Sequence, residues 1–117
     1  MTFAHIFDLP TDLDPVSGFE RQLVQAKTMT LAFIAAKAGQ SVPRHAHANE
    51  QITLVLDGLF ELTIDGETRR MAPGDIGVVE ADAPHAGRAL RDCVLVEVFS
   101  PVRRDFGHAA AREDRLA

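Results

Sequence analysis

Asp57-Gly58-Leu59-Phe60-Glu61-Leu62-Thr63-Ile64-Asp65-Gly66 is the stretch whose reading decides the fold. Two Asp-Gly dipeptides, each suited to a hairpin turn with positive φ, bracket a run of strict alternation. Phe60, Leu62 and Ile64 share one face, and Glu61, Thr63 and Asp65 the other, the period of a half-buried strand. Just downstream, Pro73-Gly74-Asp75 reads as a tight turn, with Pro presetting φ and Gly supplying a left-handed residue. Working outward, strands are predicted over residues 23–25, 29–35, 46–56, 60–64, 68–71, 76–79 and 94–99, with no convincing helix among them. Many short strands at close spacing make an all-β sandwich or barrel, not βαβ units. Residues 1–18, with Pro10, Pro15 and Gly18, read as an irregular lead-in. Residues 107–117 have the best helix-forming composition, in a segment too short to be stable unless it docks. No internal repeat or low-complexity tract is present, and the 117 residues are expected to form one domain.

Composition narrows the function classes. Apolar residues make up 46% and charged residues 25%, a globular balance that argues against disorder. Tyr and Trp are absent, so apolar area comes from aliphatic residues and seven Phe. A net charge of -5, without a basic cluster interleaved with aromatics, argues against nucleic acid and anionic lipid as partners. The opening residues lack a basic, then apolar, secretory pattern, and the longest apolar run, 31–36, is far too short to cross a bilayer; a cytoplasmic location is expected. The lone Cys93 has no internal disulfide partner and sits among Val94, Leu95 and Val96, where a buried small hydrophobe is expected rather than a nucleophile.

Chemistry concentrates in Gly39-Gln40-Ser41-Val42-Pro43-Arg44-His45-Ala46-His47-Ala48-Asn49-Glu50-Gln51. On an extended strand His45 and His47 point to the same face, and Gln51 joins them if the strand continues without a bulge, while Glu50 points away. A further ligand must come from elsewhere, and His85 in Asp82-Ala83-Pro84-His85 is the candidate. A His-x-His pair alone is more often a half-exposed polar pair than a metal site; Gln51, His85 and the flanking glycines shift that balance toward metal. His5 and His108 lie outside any such pattern and read as surface histidines.

These residues resemble the cupin superfamily. Its first motif is a Gly, five residues, His-x-His, three or four residues, Glu, six residues and Gly; Gly39, His45, His47 and Gly58 fit, with Gln51 where Glu is usual. In the second motif Gly74 and His85 fit, while Glu80, Asp82 and Ala89 replace its Pro, Gly and Asn. The resemblance implies a single-domain jelly-roll barrel, a double-stranded β-helix over about residues 23–100. It also implies one divalent transition metal ion on His45, His47, Gln51 and His85. Zn, Mn, Fe, Ni and Co all accept such nitrogen and oxygen ligands. A neutral ligand set leaves the full charge of the ion uncompensated, which favours an anionic substrate group and Lewis-acid polarisation and disfavours an oxidised metal state.

A second cluster closes the barrel region: Glu97-Val98-Phe99-Ser100-Pro101-Val102-Arg103. By alternation Val94, Val96 and Val98 form one apolar face and Cys93, Leu95, Glu97 and Phe99 the other. A carboxylate in so apolar a strand must sit in water at the rim, pair with an Arg, or face a polar cavity. The run is similar to the Asp-Val-Phe-Ser-Pro-x-Arg ending of KdgF-type cupins, which act on pectin and alginate breakdown products and linearise cyclic 4,5-unsaturated uronates. The resemblance implies catalytic roles for Glu97, Phe99 and Arg103, with Glu97 one methylene longer than the family's Asp. Two other functions remain open: a metal-dependent dioxygenase of a small organic substrate, against which Gln51 in place of Glu speaks, and a non-catalytic sensor of a small anion. A deoxysugar epimerase is disfavoured because a Tyr-free chain lacks the usual tyrosine acid. Ile52, Leu54 and Leu56 on the reverse of the histidine-bearing strand point to a homodimer through a sheet face.

Overall fold

The computed structural model describes residues 3–109 and 111–112. Two antiparallel sheets face each other and close into a jelly-roll barrel. The larger sheet is ordered β1 (Thr11–Leu13), β2 (Glu20–Gln25), β3 (Thr30–Ala36), β10 (Cys93–Ser100), β5 (Glu50–Asp57) and β8 (Ile76–Val79). The smaller is ordered β4 (Ser41–His45), β9 (His85–Ala89), β6 (Phe60–Ile64) and β7 (Glu67–Met71). A short strand β11 (Ala111–Arg112) runs parallel to β2. Among the described residues no helix is long and apolar enough to cross a membrane.

Alternation builds the core as the sequence leads one to expect. Ala32, Ile34 and Ala36 of β3 meet Leu95 and Phe99 of β10, Val55 of β5, and Phe60 and Leu62 of β6. Cys93 is also inside; its thiol donates to the backbone carbonyl of Leu59 or Arg91, and burial pushes its pKa up, so it serves as filling.

The two Asp-Gly dipeptides do different work. Asp65 and Gly66 both take positive φ (49° and 82°) and close the β6–β7 hairpin as expected. Asp57-Gly58 does not make a hairpin, because β5 pairs with β10 and β8 while β6 pairs with β7 and β9. It makes the corner where the chain passes from one sheet to the other. Gly58 has φ 88°, and a Cβ there would lie 2.1 Å from the Asp92 carbonyl oxygen. Only a residue without a side chain lets the corner rest on that backbone.

Four of the described strands, β1, β4, β9 and β11, escape the sequence pattern. β1 lies inside the lead-in, which is more ordered than its Pro and Gly content suggests: a 3-10 turn at Ile6–Asp8 precedes β1, whose three residues pair with β2. β4 contains Pro43, and β9 is the weakly β-forming His-Ala-Gly-Arg-Ala, in which Gly87 leaves room for the Phe60 ring. The segment 107–117, whose composition allows a tail or a short helix, falls outside the described residues at 110 and 113–117; a 3-10 turn covers Arg104–Ala109 and β11 follows.

Gly58→Ala tests the corner. Gly66→Ala, also at positive φ but with nothing within 4 Å of an added Cβ, should cost about 1–2 kcal/mol from backbone strain alone. Gly58→Ala should cost at least about 2 kcal/mol more in urea unfolding, since backbone must move; equal losses would show that the corner yields freely.

Candidate metal centre and active site

His45 ends β4, His47 lies in the loop beyond it, and His85 opens β9. Because β4 pairs with β9 and His45 stands opposite His85, the smaller sheet alone brings two imidazoles together. The expectation of a continuous strand over 46–56 carrying His47 and Gln51 is corrected here. β4 stops at His45 in one sheet, and β5 begins at Glu50 in the other. Residues 46–49 are not in a strand, and over them the chain crosses from one sheet to the other. The Asn49 side-chain amide ties the crossover down, donating to the carbonyls of Pro101 (2.5 Å) and Val102 (3.1 Å). The Asp82 N–H holds it from the other side, donating to the His47 carbonyl at 2.8 Å. His85, which lies outside every strand predicted from the sequence, opens a strand.

One ligand atom from each of the three histidines falls within 4.8 Å of the other two, so the cluster could hold a metal ion. The remaining ring nitrogens fix the tautomers. Nδ1 of His45 faces the Pro43 carbonyl (2.8 Å), that of His47 the Asn49 carbonyl (2.9 Å), and that of His85 the Ala83 carbonyl (2.9 Å). A carbonyl only accepts, so each Nδ1 carries the proton and each Nε2 keeps a bare lone pair. His47 Nε2 then stands 3.1 Å from Gln51 Oε1, acceptor against acceptor, and the buried His85 Nε2 has no partner at all. A shared cation resolves both, and Nδ1–carbonyl bonds are the usual means of aiming metal-binding imidazoles. Burial holds His47 below the usual range and His85 down to about 4, with positive charge at Arg103 and the neighbouring rings acting in the same direction. Both are therefore neutral at neutral pH, as a metal ligand must be.

Behind the histidines lies a second polar layer. Gln51, 5% exposed on the inner face of β5, donates through Nε2 to Thr53 Oγ1 (2.9 Å) and Glu97 Oε2 (2.7 Å). Thr53 donates to the same Glu97 oxygen at 2.5 Å, the two residues being register partners across β5 and β10. Glu97 thus sits neither in water at the rim nor in an ion pair; it faces the cavity. Burial raises its carboxyl pKa, while the Thr53 and Gln51 hydrogen bonds and the charge of Arg103 offset only part of that rise.

Arg103, three residues past the end of β10, packs its guanidinium carbon against two aromatic rings, 4.8 Å from the Phe99 centroid and 4.2 Å from that of Phe106. Its Nε and Nη2 grip the Asp105 carboxylate at 2.9 and 2.7 Å. Phe106 carries Arg21 on another approach (4.6 Å), and Arg21 is clamped by Asp12 and Asp14 of the lead-in. Phe99 is buried, with its ring 5.8 Å from His47. An inner cavity of about 80 Å³ is bounded by His45, His85, Gln51, Glu97, Phe99 and Arg103. An outer one of about 310 Å³ shares His45, Arg21, Arg103 and Phe106 with it and opens beyond them.

Sequence reasoning missed Arg21, Thr53 and Phe106. Arg21 has the parity of Leu23 and Gln25, so starting the strand two residues earlier would have placed it inside; Thr53 lies between the inward Gln51 and Val55. Phe106, beyond the last predicted strand, carried no signal. His5 is exposed and remote from the cluster, and the His108 side chain lies outside the described residues.

Comparison with known proteins agrees with this geometry. Residues 32–99 match the family model described as cupin domain. The pectin degradation protein KdgF of Dickeya dadantii is 35% identical over 92 residues, covering 76% of this chain and 84% of that protein. The structure of KdgF from Halomonas sp. superposes with a TM-score of 0.82 at 28% identity, over 91% of this chain and 98% of the other. An RmlC-like cupin from Shewanella frigidimarina gives 0.82 at 26% identity, over 89% and 94%.

The depressed His85 titration makes a signed prediction. The folded protein leaves this ring neutral down to about 4, whereas an unfolded chain protonates it near 6.5. Through that interval the unfolded state binds more protons, so acidification weakens the fold. Glu97 acts oppositely, since its raised pKa costs stability as pH rises above 4.5. In thermal melts of metal-free protein from about pH 7 to about pH 4.5, His85→Gln should remove on the order of 2 kcal/mol of the acid loss. Parallel curves for parent and variant would show that the folded state does not keep this ring neutral.

Proposed function

The chain belongs to the cupin family, and from that premise we propose that it is a metal-dependent enzyme that opens cyclic 4,5-unsaturated uronates to their linear keto form. The observation that carries the reading is that a cluster of three imidazoles, whose bare nitrogens face one another and the Gln51 carbonyl oxygen, borders through His45 and His85 the same cavity that the Glu97 carboxyl and the Arg103 guanidinium line. The ring would sit where the outer cavity meets the inner one at His45 and Arg103, with its reacting edge turned inward toward Glu97, because about 80 Å³ of inner space takes a part of a sugar but not the whole of one.

His45, His47, Gln51 and His85 would hold the ion, which when bound supplies Lewis-acid polarisation of a substrate oxygen. Arg103 offers a fork that matches the uronate carboxylate bidentately once Asp105 is displaced. Phe99 walls the inner cavity and supports both Arg103 and His47. In the reaction the anomeric hydroxyl loses its proton, the bond from that carbon to the ring oxygen breaks, and an aldehyde and an enol result. Addition of a proton to the neighbouring alkene carbon, with loss of the enol proton, then gives the ketone. Nothing is oxidised, reduced or added. Glu97 is the group that moves these protons; its raised pKa leaves the acid form populated closer to neutrality.

The assay is loss of the conjugated-alkene absorbance of an unsaturated uronate over metal-loaded protein. Rate enhancement over buffer is expected, and Glu97→Gln should lower kcat by about 10²–10⁴-fold. No enhancement at confirmed full metal content would retire the reading.

The outer face of the larger sheet supports a homodimer. Leu31, Val98, Ile52 and Val78 align in one row across four strands, and Phe33, Val96, Leu54 and Ile76 in the next. Exposure of 39–63% at Leu31, Ile52, Val78 and Ile76 leaves this face open in the single chain. Light scattering at micromolar concentration should give twice the chain mass, and Ile52→Lys should halve it; a monomeric parent would contradict the dimer.

A further inference from the structure

Thr53 is fully buried, hydrogen-bonds through its side chain to Gln51 and Glu97 rather than to the histidine cluster, and yet constrains the atom that Gln51 turns toward the cluster. An amide has two ends. Only the oxygen end donates a lone pair to a cation; the NH2 end has none to offer. In Gln51 the choice is made behind the site. The single Thr53 hydroxyl proton is spent on Glu97 Oε2 (2.5 Å), so the oxygen lone pairs of Thr53 face Gln51 and require an N–H there, at 2.9 Å. Glu97 Oε2 requires the other N–H at 2.7 Å. Both amide hydrogens are thereby claimed, and Oε1 is left 3.1 Å from His47 Nε2, on the side of the imidazoles.

We propose that Thr53 is a positioning residue for the metal: its hydroxyl, acting with Glu97, locks the Gln51 amide so that oxygen and not nitrogen faces the three imidazoles. This rests on reading Gln51 as a ligand. β-sheet register makes the lock rigid, since Thr53 and Glu97 are cross-strand partners at the centre of the larger sheet and Gln51 is two residues along the same inner face. Without the hydroxyl, the amide keeps one polar anchor in place of two and is free to present its NH2 group to the cluster for part of the time. Valine fills the same volume and removes only the hydrogen-bonding atom.

The test is Co²⁺ titration of metal-free protein, followed by calorimetry and by the visible d–d bands of the bound ion. Thr53→Val should weaken Co²⁺ binding by about 10–100-fold, the range for residues that orient ligands from behind. Its d–d bands should shift as an oxygen donor is lost, while Thr53→Ser stays within about threefold of the parent. A merely structural role would lower stability without altering the bands, so thermal melts of the metal-free variants are recorded alongside. Should the valine variant not fold, Thr53→Ala replaces it under the same expectation. Parent-like affinity and bands in the hydroxyl-free variant overturn the proposal, as does a serine variant as weak as valine. A parent that binds no Co²⁺ overturns the metal reading itself, and a parent that binds tightly but turns over no uronate leaves the Thr53 inference standing.

Discussion

The antiparallel pairing of β5 with β10 is the constraint on which the site depends. Its register places Gln51 opposite Phe99 and Thr53 opposite Glu97, so one hydrogen-bonded ladder presents a candidate ligand, its anchor, a buried carboxyl and the ring beneath Arg103 side by side. The same alternation turns Ile52, Leu54, Val96 and Val98 outward. A slip of one residue would bury the valines and expel Glu97, exchanging both faces at once. The apolar outer surface and the polar interior are therefore two results of a single register.

Against that ladder the smaller sheet contributes the imidazoles. His45 and His85 are neighbours across β4 and β9, and His47 hangs in the crossover that joins the sheets. The cluster thus spans both walls of the barrel, and anything bound there links them. The cost of desolvating so many polar groups is offset by near-complete pairing: every Nδ1 has its carbonyl, and Gln51, Thr53 and Glu97 satisfy one another. At the site, what stays unsatisfied is the set of lone pairs that face the common centre: the Gln51 oxygen against the His47 nitrogen, and the buried His85 Nε2, which has no partner.

Much of this was legible in the chain. The β class, the inward set Cys93, Leu95, Glu97 and Phe99, the turns at Asp65-Gly66 and Pro73-Gly74, and the four metal candidates all follow from alternation, turn chemistry and motif spacing. The route by which the histidines meet was not legible. Parity on an extended strand has no means of announcing a change of sheet, and residues 46–49 lack the glycine or proline that would have flagged one. β9 was hidden because His-Ala-Gly-Arg-Ala owes its strand to neighbours on both sides and to the Phe60 ring over Gly87, not to propensity. Arg21 was missed because an arginine clamped by two aspartates from the lead-in is a tertiary fact, and Phe106 because its environment is two guanidinium groups supplied from distant positions.

The grip of Arg103 on Asp105 has a consequence for how the pocket distinguishes its guests. The guanidinium already holds a carboxylate of its own chain, two residues away and largely in water. An arriving anion does not meet an empty cation; it trades places with a tethered rival, and only the difference between the two embraces counts toward affinity. Simple monoanions gain little from such a swap. Under the proposed reading, a visitor that also reached the imidazoles would gain from both ends, so the tether would act as a threshold that favours molecules with two handles over those with one.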